Sequence, residues 1–160
     1  MKFNASIFVK CFLYGLVTLT PAHVLAHGDV TPHAVDTSTL PPLGDEWRKE
    51  NPYRGLPEAL KVGTSAYAQN CARCHGLEAI SGGMAPDLRK LDDECLDIKD
   101  EAKKKICFSD VDLYFASAVK QGEIRNGNVY MPPFEKVFNQ EAIWAIKAYL
   151  VKRRDDNAKN

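Results

Sequence analysis

Apolar positions recur at helical spacing in three stretches of the chain, and no stretch alternates as a strand would. Residues 140–154 carry Ile143, Trp144, Ile146, Tyr149 and Leu150, and they end on Lys152, Arg153 and Arg154, whose charges complement a helix C-terminus. Residues 57–74 open on Pro57, suited to a first helical turn, and place Leu60, Val62, Ala66 and Tyr67 near one face. The third stretch opens on Ser109 with Asp112 three residues on, a capping-box pattern with Asp in place of Glu. Behind it run Val111, Leu113, Tyr114, Phe115, Ala118 and Val119, and Gly122 ends the helix. Between these helices, Gly76, Gly82, Gly83 and Pro86 mark one loop, and Gly122, Gly127, Pro132 and Pro133 mark another. The charged segment 92–105 reads as partly helical. The pattern predicts a small all-α domain of three to five helices with long loops and no strand.

Residues 27–56 break that pattern. Pro32, Pro41, Pro42 and Pro52 fall here with no sustained period, which predicts an extended arm held to the domain by Trp47 and Tyr53. His27 and His33 lie in its polar first half and read as solvated side chains. The domain itself is expected over 57–160. Residues 1–26 have the form of a secretory signal: Lys2 and Lys10, an apolar run over 11–19, the helix-breaking Pro21, then Val24-Leu25-Ala26. Nine apolar residues are too few to anchor a chain in a bilayer, which needs about 20. Cleavage before His27 is expected, with export to the periplasm and no stable membrane anchor.

Charge and composition then exclude several classes. The chain has 21 basic and 21 acidic residues, so no basic excess points to nucleic acid. Removing residues 1–26 takes two lysines and no acid, leaving a mildly acidic product. It also takes Cys11, and the remaining cysteines are Cys71, Cys74, Cys95 and Cys107.

Two of these carry the chemistry. Cys71-Ala72-Arg73-Cys74-His75 is C-x-x-C-H, the attachment signature of c-type haem. Thiols three positions apart at a helix end can add to two vinyl groups on one porphyrin edge, and the next residue, His75, then supplies an axial nitrogen. A zinc site would want a second ligand pair at close spacing, whereas Cys95 and Cys107 are twelve apart with no histidine nearby. A thioredoxin-like redox pair would want a βαβ setting, and a plain Cys71–Cys74 disulfide leaves His75 without a role.

Met84 and Met131 are the candidates for the second axial ligand. Met84 follows His75 by nine residues, too few to wrap over the opposite haem face; Met131 follows by 56, in a loop stiffened by Pro132 and Pro133. Met131 is therefore expected at the iron and Met84 in packing. The Pro86 carbonyl is placed to accept the His75 Nδ1–H, or Pro86 merely shapes its loop. Leu88 and Phe134 are candidates for packing on the haem or in the ordinary core. With Cys71 and Cys74 on haem, Cys95 and Cys107 have one possible pairing; two free thiols suit an exported protein poorly. Such a bridge would contribute about 3 kcal/mol by chain entropy. Lys103, Lys104 and Lys105 lie inside that loop, as a solvated face or a docking patch.

On these residues, 57–154 resembles the class I cytochromes c. Gly63 and Tyr67 stand where that family crosses its N- and C-terminal helices, with Trp144 and Tyr149 as counterparts. Gly83-Met84-Ala85-Pro86-Asp87-Leu88 is similar to the family's proline loop, and Tyr130-Met131-Pro132-Pro133-Phe134 to its methionine loop. More narrowly, Pro42-Leu43-Gly44-Asp45-Glu46-Trp47-Arg48, the block from Asn70 through Ile80 and the Cys95/Cys107 pair resemble soluble periplasmic cytochromes that take electrons from quinoprotein (PQQ) alcohol dehydrogenases. The resemblance implies the cytochrome c fold around one covalent haem c and a one-electron carrier rather than an enzyme. It implies a quinoprotein dehydrogenase as donor and a downstream cytochrome or terminal oxidase as acceptor. The alternatives are a haem enzyme or gas sensor with an open axial position, and a cytochrome subunit of a larger respiratory complex.

Overall fold

The computed structural model describes residues 31–83 and 85–159. The expected signal segment, His27 and Met84 lie outside them. Among the described residues, five α-helices and one small hairpin occur in the order α1 (Pro57–Asn70), α2 (Ala72–His75), α3 (Asp93–Leu96), α4 (Glu101–Gln121), β1 (Glu123–Arg125), β2 (Asn128–Met131) and α5 (Gln140–Asn157). Short 3₁₀ turns at Leu77–Ala79 and Leu88–Lys90 punctuate the loop between α2 and α3.

The centre of the fold is the crossing of α1 and α5. Gly63 makes it possible, because a Cβ there would lie 2.0 Å from the Ala145 carbonyl oxygen and 3.1 Å from the Tyr149 Cβ. Two helices approach this closely only where one lacks a side chain. One turn further on, the Tyr67 and Tyr149 rings pack at 5.0 Å. Trp144, fully buried on α5, packs edge-on against Trp47 of the arm at 6.5 Å, and its neighbour Ala145 meets Gly63. All of 142–150 is buried, so α5 is a central helix rather than an amphipathic surface one.

The arm, residues 31–56, has neither helix nor strand among its described residues and lies on this core. Leu40, Leu43 and Tyr53 are buried, the Tyr53 hydroxyl donates to the Pro41 carbonyl, and the Leu43 amide donates to Glu141 at 2.8 Å. Gln140 at the start of α5 donates to the Gly44 and Glu46 carbonyls. The anchors are thus more numerous than Trp47 and Tyr53, and they include backbone groups invisible to a hydropathy pattern.

Three further expectations are corrected. The helix over 57–74 is two, because Cys71 at φ −112° bends the chain between α1 and α2. The third helix starts well before Ser109: the Asp100 carboxylate accepts from the Ala102 and Lys103 amides and caps α4, and Asp112 is a fully buried residue inside it. Lys103, Lys104 and Lys105 therefore lie in the first turns of a helix. The loop 122–135 holds an antiparallel hairpin, with Glu123 opposite Met131, Ile124 opposite Val129 and Arg125 opposite Asn128. Its turn is Asn126-Gly127, both left-handed at φ 51° and 78°.

Candidate functional site

Cys71 sits at the bend between α1 and α2, and Cys74 and His75 lie on the single turn of α2. Both cysteines are half-buried and free, whereas Cys95 and Cys107 are joined to each other. That bridge ties α3 to α4 and makes neither sulfur available to a zinc site. Burial, reinforced by the neighbouring Cys74, pushes the Cys71 thiol up to about 12. A thiol held protonated in this way is a weak nucleophile at neutral pH.

The His75 ring is fixed by one contact, its Nδ1 lying 3.0 Å from the Pro86 carbonyl oxygen. A carbonyl can only accept, so Nδ1 carries the proton and Nε2 keeps its lone pair for a metal. The loop between them is shaped by the Tyr67 hydroxyl, which donates to the Gly76 carbonyl at 2.9 Å, and by Ser81, whose hydroxyl donates to the Ala85 carbonyl at 2.5 Å. Burial holds the Tyr67 phenol well above its ordinary value, so it stays a donor at any working pH. Glu78 and Ala79 adopt left-handed backbone at φ 57° and 64°, and Arg153 of α5 reaches across to the Glu78 carboxylate at 2.9 Å. None of these three supports is visible as a sequence pattern.

Met131 ends β2, half-buried against the core. Phe134 is 2% exposed and stacks on Phe138 at 4.8 Å, and its amide donates to the Val119 carbonyl, so it pins the chain just beyond Met131. Leu88 is half-buried and packs on the core from the other loop. Apolar side chains stand in the open beside both candidate ligands: Leu77 at 78% and Ile80 after His75, and Ile124, Val129 and Tyr130 at 66% before Met131. An imidazole with a committed Nδ1, a thioether, two free thiols and uncovered apolar surface together fit a covalently attached haem.

A buried group of charges links four segments. Lys147, 1% exposed in the middle of α5, lies 2.9 Å from Asp92 and 3.8 Å from Asp112. Arg154 reaches Asp92 at 2.8 Å, and Arg54 of the arm reaches Asp112 at 2.6 Å. The Asn51 amide also donates to Asp112. Burial alone would raise the Asp92 carboxyl, but Lys147 and Arg154 beside it hold it below the ordinary 3.8. Burial also lowers the Lys147 ammonium against the pull of Asp92 and Asp112.

Residues 58–150 match the family described as cytochrome C oxidase, cbb3-type, subunit III. The chain is also 50% identical, over 130 residues, to a cytochrome c550 of Pseudomonas aeruginosa, a match covering 79% of this chain and 80% of that one. The chain belongs to the cytochrome c family. This cytochrome c is an electron carrier, not an enzyme, and the family implies a covalently bound haem c. Two quinohemoprotein alcohol dehydrogenases of Pseudomonas putida are similar as well, ADH IIB at 30% identity over 66% of this chain and ADH-IIG at 34% over 61%. The chain spans 13% and 11% of their respective lengths. No solved structure matches at a significant level. Among the described residues, no helix of this cytochrome is long and apolar enough to cross a membrane.

Proposed function

We propose that this cytochrome binds one haem c, which Cys71 and Cys74 would hold through thioethers and whose iron would be ligated by His75 Nε2 and the Met131 sulfur. It serves as a periplasmic one-electron carrier, exported by the segment 1–26. The observation that carries the reading is the His75–Pro86 contact beside two free cysteines, because it commits one ring nitrogen and leaves the other to a metal. When bound, the haem would supply reversible one-electron chemistry at iron, with both candidate iron ligands drawn from side chains of this chain. The Pro86 carbonyl holds the imidazole as the Nδ1–H tautomer and makes Nε2 a stronger donor. Phe134, and Leu88 from the proline loop, pack the two ligand loops against the core and keep water from them.

The electron donor is a PQQ-dependent alcohol dehydrogenase, of the ethanol- or methanol-oxidising kind, and the acceptor is a downstream cytochrome or terminal oxidase. Support for the donor comes from the resemblance of the arm and of the block around Cys71, and from the similarity to part of two quinohemoprotein alcohol dehydrogenases. Such encounters are brief and bury little area.

The oxidised spectrum of the purified holoprotein tests the ligands. The weak near-infrared Met–Fe(III) band should be present, be abolished by Met131→Ala and survive Met84→Ala. The opposite pattern moves the ligand to Met84. A missing band with rapid carbon monoxide binding to the reduced wild-type iron overturns the carrier reading. Stopped-flow mixing with a substrate-reduced PQQ alcohol dehydrogenase tests the donor; failure to accept electrons removes it and leaves the ligands untouched.

A further inference from the structure

The hairpin before Met131 is not needed to bury anything, since Glu123–Arg125 is exposed throughout and β2 is exposed as far as Tyr130. Its construction is nevertheless specific. Ile124 pairs with Val129 and the next rung pairs Glu123 with Met131, so Tyr130 has no opposite residue and forms a β-bulge. A bulge shifts the register of the strand beyond it by one residue, and in a strand one residue decides which face a side chain takes. The bulge therefore sets where Met131 points.

Gly122 lies under the same place. It stands at φ 70°, and a Cβ added there would come 2.4 Å from the Met131 carbonyl oxygen, 2.7 Å from the Pro133 nitrogen and 2.8 Å from the Pro132 carbonyl carbon. These are backbone atoms of a proline-stiffened segment, which cannot swing aside as a side chain would. Beyond them the Phe134 and Glu135 amides donate to the Val119 and Lys120 carbonyls, at 3.0 and 3.3 Å. Met131 is thus fixed from before by the bulge, from below by Gly122 and from behind by α4.

We propose that the bulged hairpin and Gly122 are a positioning device for the axial ligand: together they aim the Met131 sulfur at the haem iron and hold it there. The inference rests on Met131 being the ligand, which the Met131→Ala spectrum decides separately. Gly122 and Tyr130 act through Met131 and need not touch the haem.

The test uses two holoprotein variants and a rescue. Gly122→Ala drives a methyl group into the Met131–Pro133 backbone. Gly127→Val acts at the exposed tip, where an added Cβ meets nothing within 4 Å, so its effect comes from a β-branched residue at φ 78°. In both, haem attachment and far-UV helix content should be retained. The Met–Fe(III) band should weaken or be lost at lower pH than in the wild type. Carbon monoxide should bind the reduced iron about tenfold faster, the scale set by left-handed backbone strain. Gly127→Asn, which tolerates that conformation, should restore the wild-type band and rate. Should Gly122→Ala fail to accumulate, Gly127→Val decides. If Met131→Ala abolishes the band while the folded glycine variants keep it with wild-type carbon monoxide kinetics, the positioning inference is wrong. If Met131→Ala leaves the band, the ligand reading itself has failed.

Discussion

The α1–α5 crossing and the loops around His75 and Met131 are stabilised in different ways. At the crossing, backbone meets backbone over Gly63, two tyrosines close the next turn, and α5 is buried from Ala142 to Leu150. Lys147 is enclosed there only because acids from the α3 and α4 segments meet it. The loops hold their shape through single hydrogen bonds, left-handed residues and one hairpin, and they leave Leu77, Ile80, Ile124, Val129 and Tyr130 in the open. The polypeptide completes its own packing on the first side. On the second it offers donors and apolar surface to a prosthetic group, so that binding and folding are linked there. Changes at the crossing should therefore lower global stability and spare the iron spectrum. Changes in the loops should do the reverse.

The largest effect is expected from Lys147→Ala. It leaves Asp92 and Asp112 buried with less compensation, and breaking a buried pair from one side costs about 3–5 kcal/mol. Denaturant unfolding of the holoprotein measures it, and the Met–Fe(III) band should remain. The acid limb adds a sign. Asp92 sits below its ordinary value, so its stabilising contribution is complete above the usual carboxylate range and is lost as pH falls through the lowered folded-state value. Lys147→Ala should raise that value and move acid unfolding to higher pH. An unchanged acid midpoint would mean that Arg154 alone holds Asp92.

Gly63→Ala should come next. Alanine is the better helix former, yet its Cβ cannot occupy a point 2.0 Å from the Ala145 carbonyl oxygen without parting the helices. Overpacking of this kind costs about 1–3 kcal/mol. Unfolding by heat or denaturant should show the loss, with the iron ligands unaffected. If the band disappears along with the stability, the two regions are not separable.

Much of this division was legible from residue order. Cys71, Cys74 and His75 declare themselves by spacing, and the pairing of Cys95 with Cys107 came from having no other partners. The Pro86 carbonyl and the Gly63–Tyr149 crossing were likewise expected and are found in contact. The features that stayed hidden did so for identifiable causes. The hairpin strands are three and four residues long with exposed side chains, so they show no alternation, and the Asn126-Gly127 turn was the one local signal. The start of α4 shows no apolar stripe, because its first turns are charged at Lys103, Lys104 and Lys105, and the Asp100 cap lies nine residues before Ser109. Lys147 interrupts an apolar run and reads as a solvent-facing position; only its tertiary partners explain its burial.

Tyr67 spans both regions and offers a sharper test. Its ring packs on Tyr149 in the crossing, and its hydroxyl donates to the Gly76 carbonyl directly after His75. Tyr67→Phe keeps the ring and removes one hydrogen bond, worth about 1 kcal/mol. The expected result is that small loss of stability, with a shift in reduction potential because the turn directly after His75 is released. A stability loss with no change in potential would place Tyr67 wholly within the crossing.

The smallest effect is expected where α5 touches the loop side, at Arg153. Its guanidinium reaches the Glu78 carboxylate at 2.9 Å, and Glu78 remains mostly exposed. An exposed pair of this kind is worth about 0–1 kcal/mol and is screened by salt. Arg153→Ala should therefore cost less than about 1 kcal/mol in dilute buffer, and the difference should vanish near 1 M salt. The same bond, however, lies on the first of two left-handed residues, Glu78 and Ala79. If the pair holds that strained turn in place, the loss will exceed the surface value, persist in high salt and carry the Met–Fe(III) band with it. Such an outcome would move the boundary between the two regions onto α5 itself. A small, salt-sensitive loss with an unchanged band keeps that boundary at the bend beside Cys71.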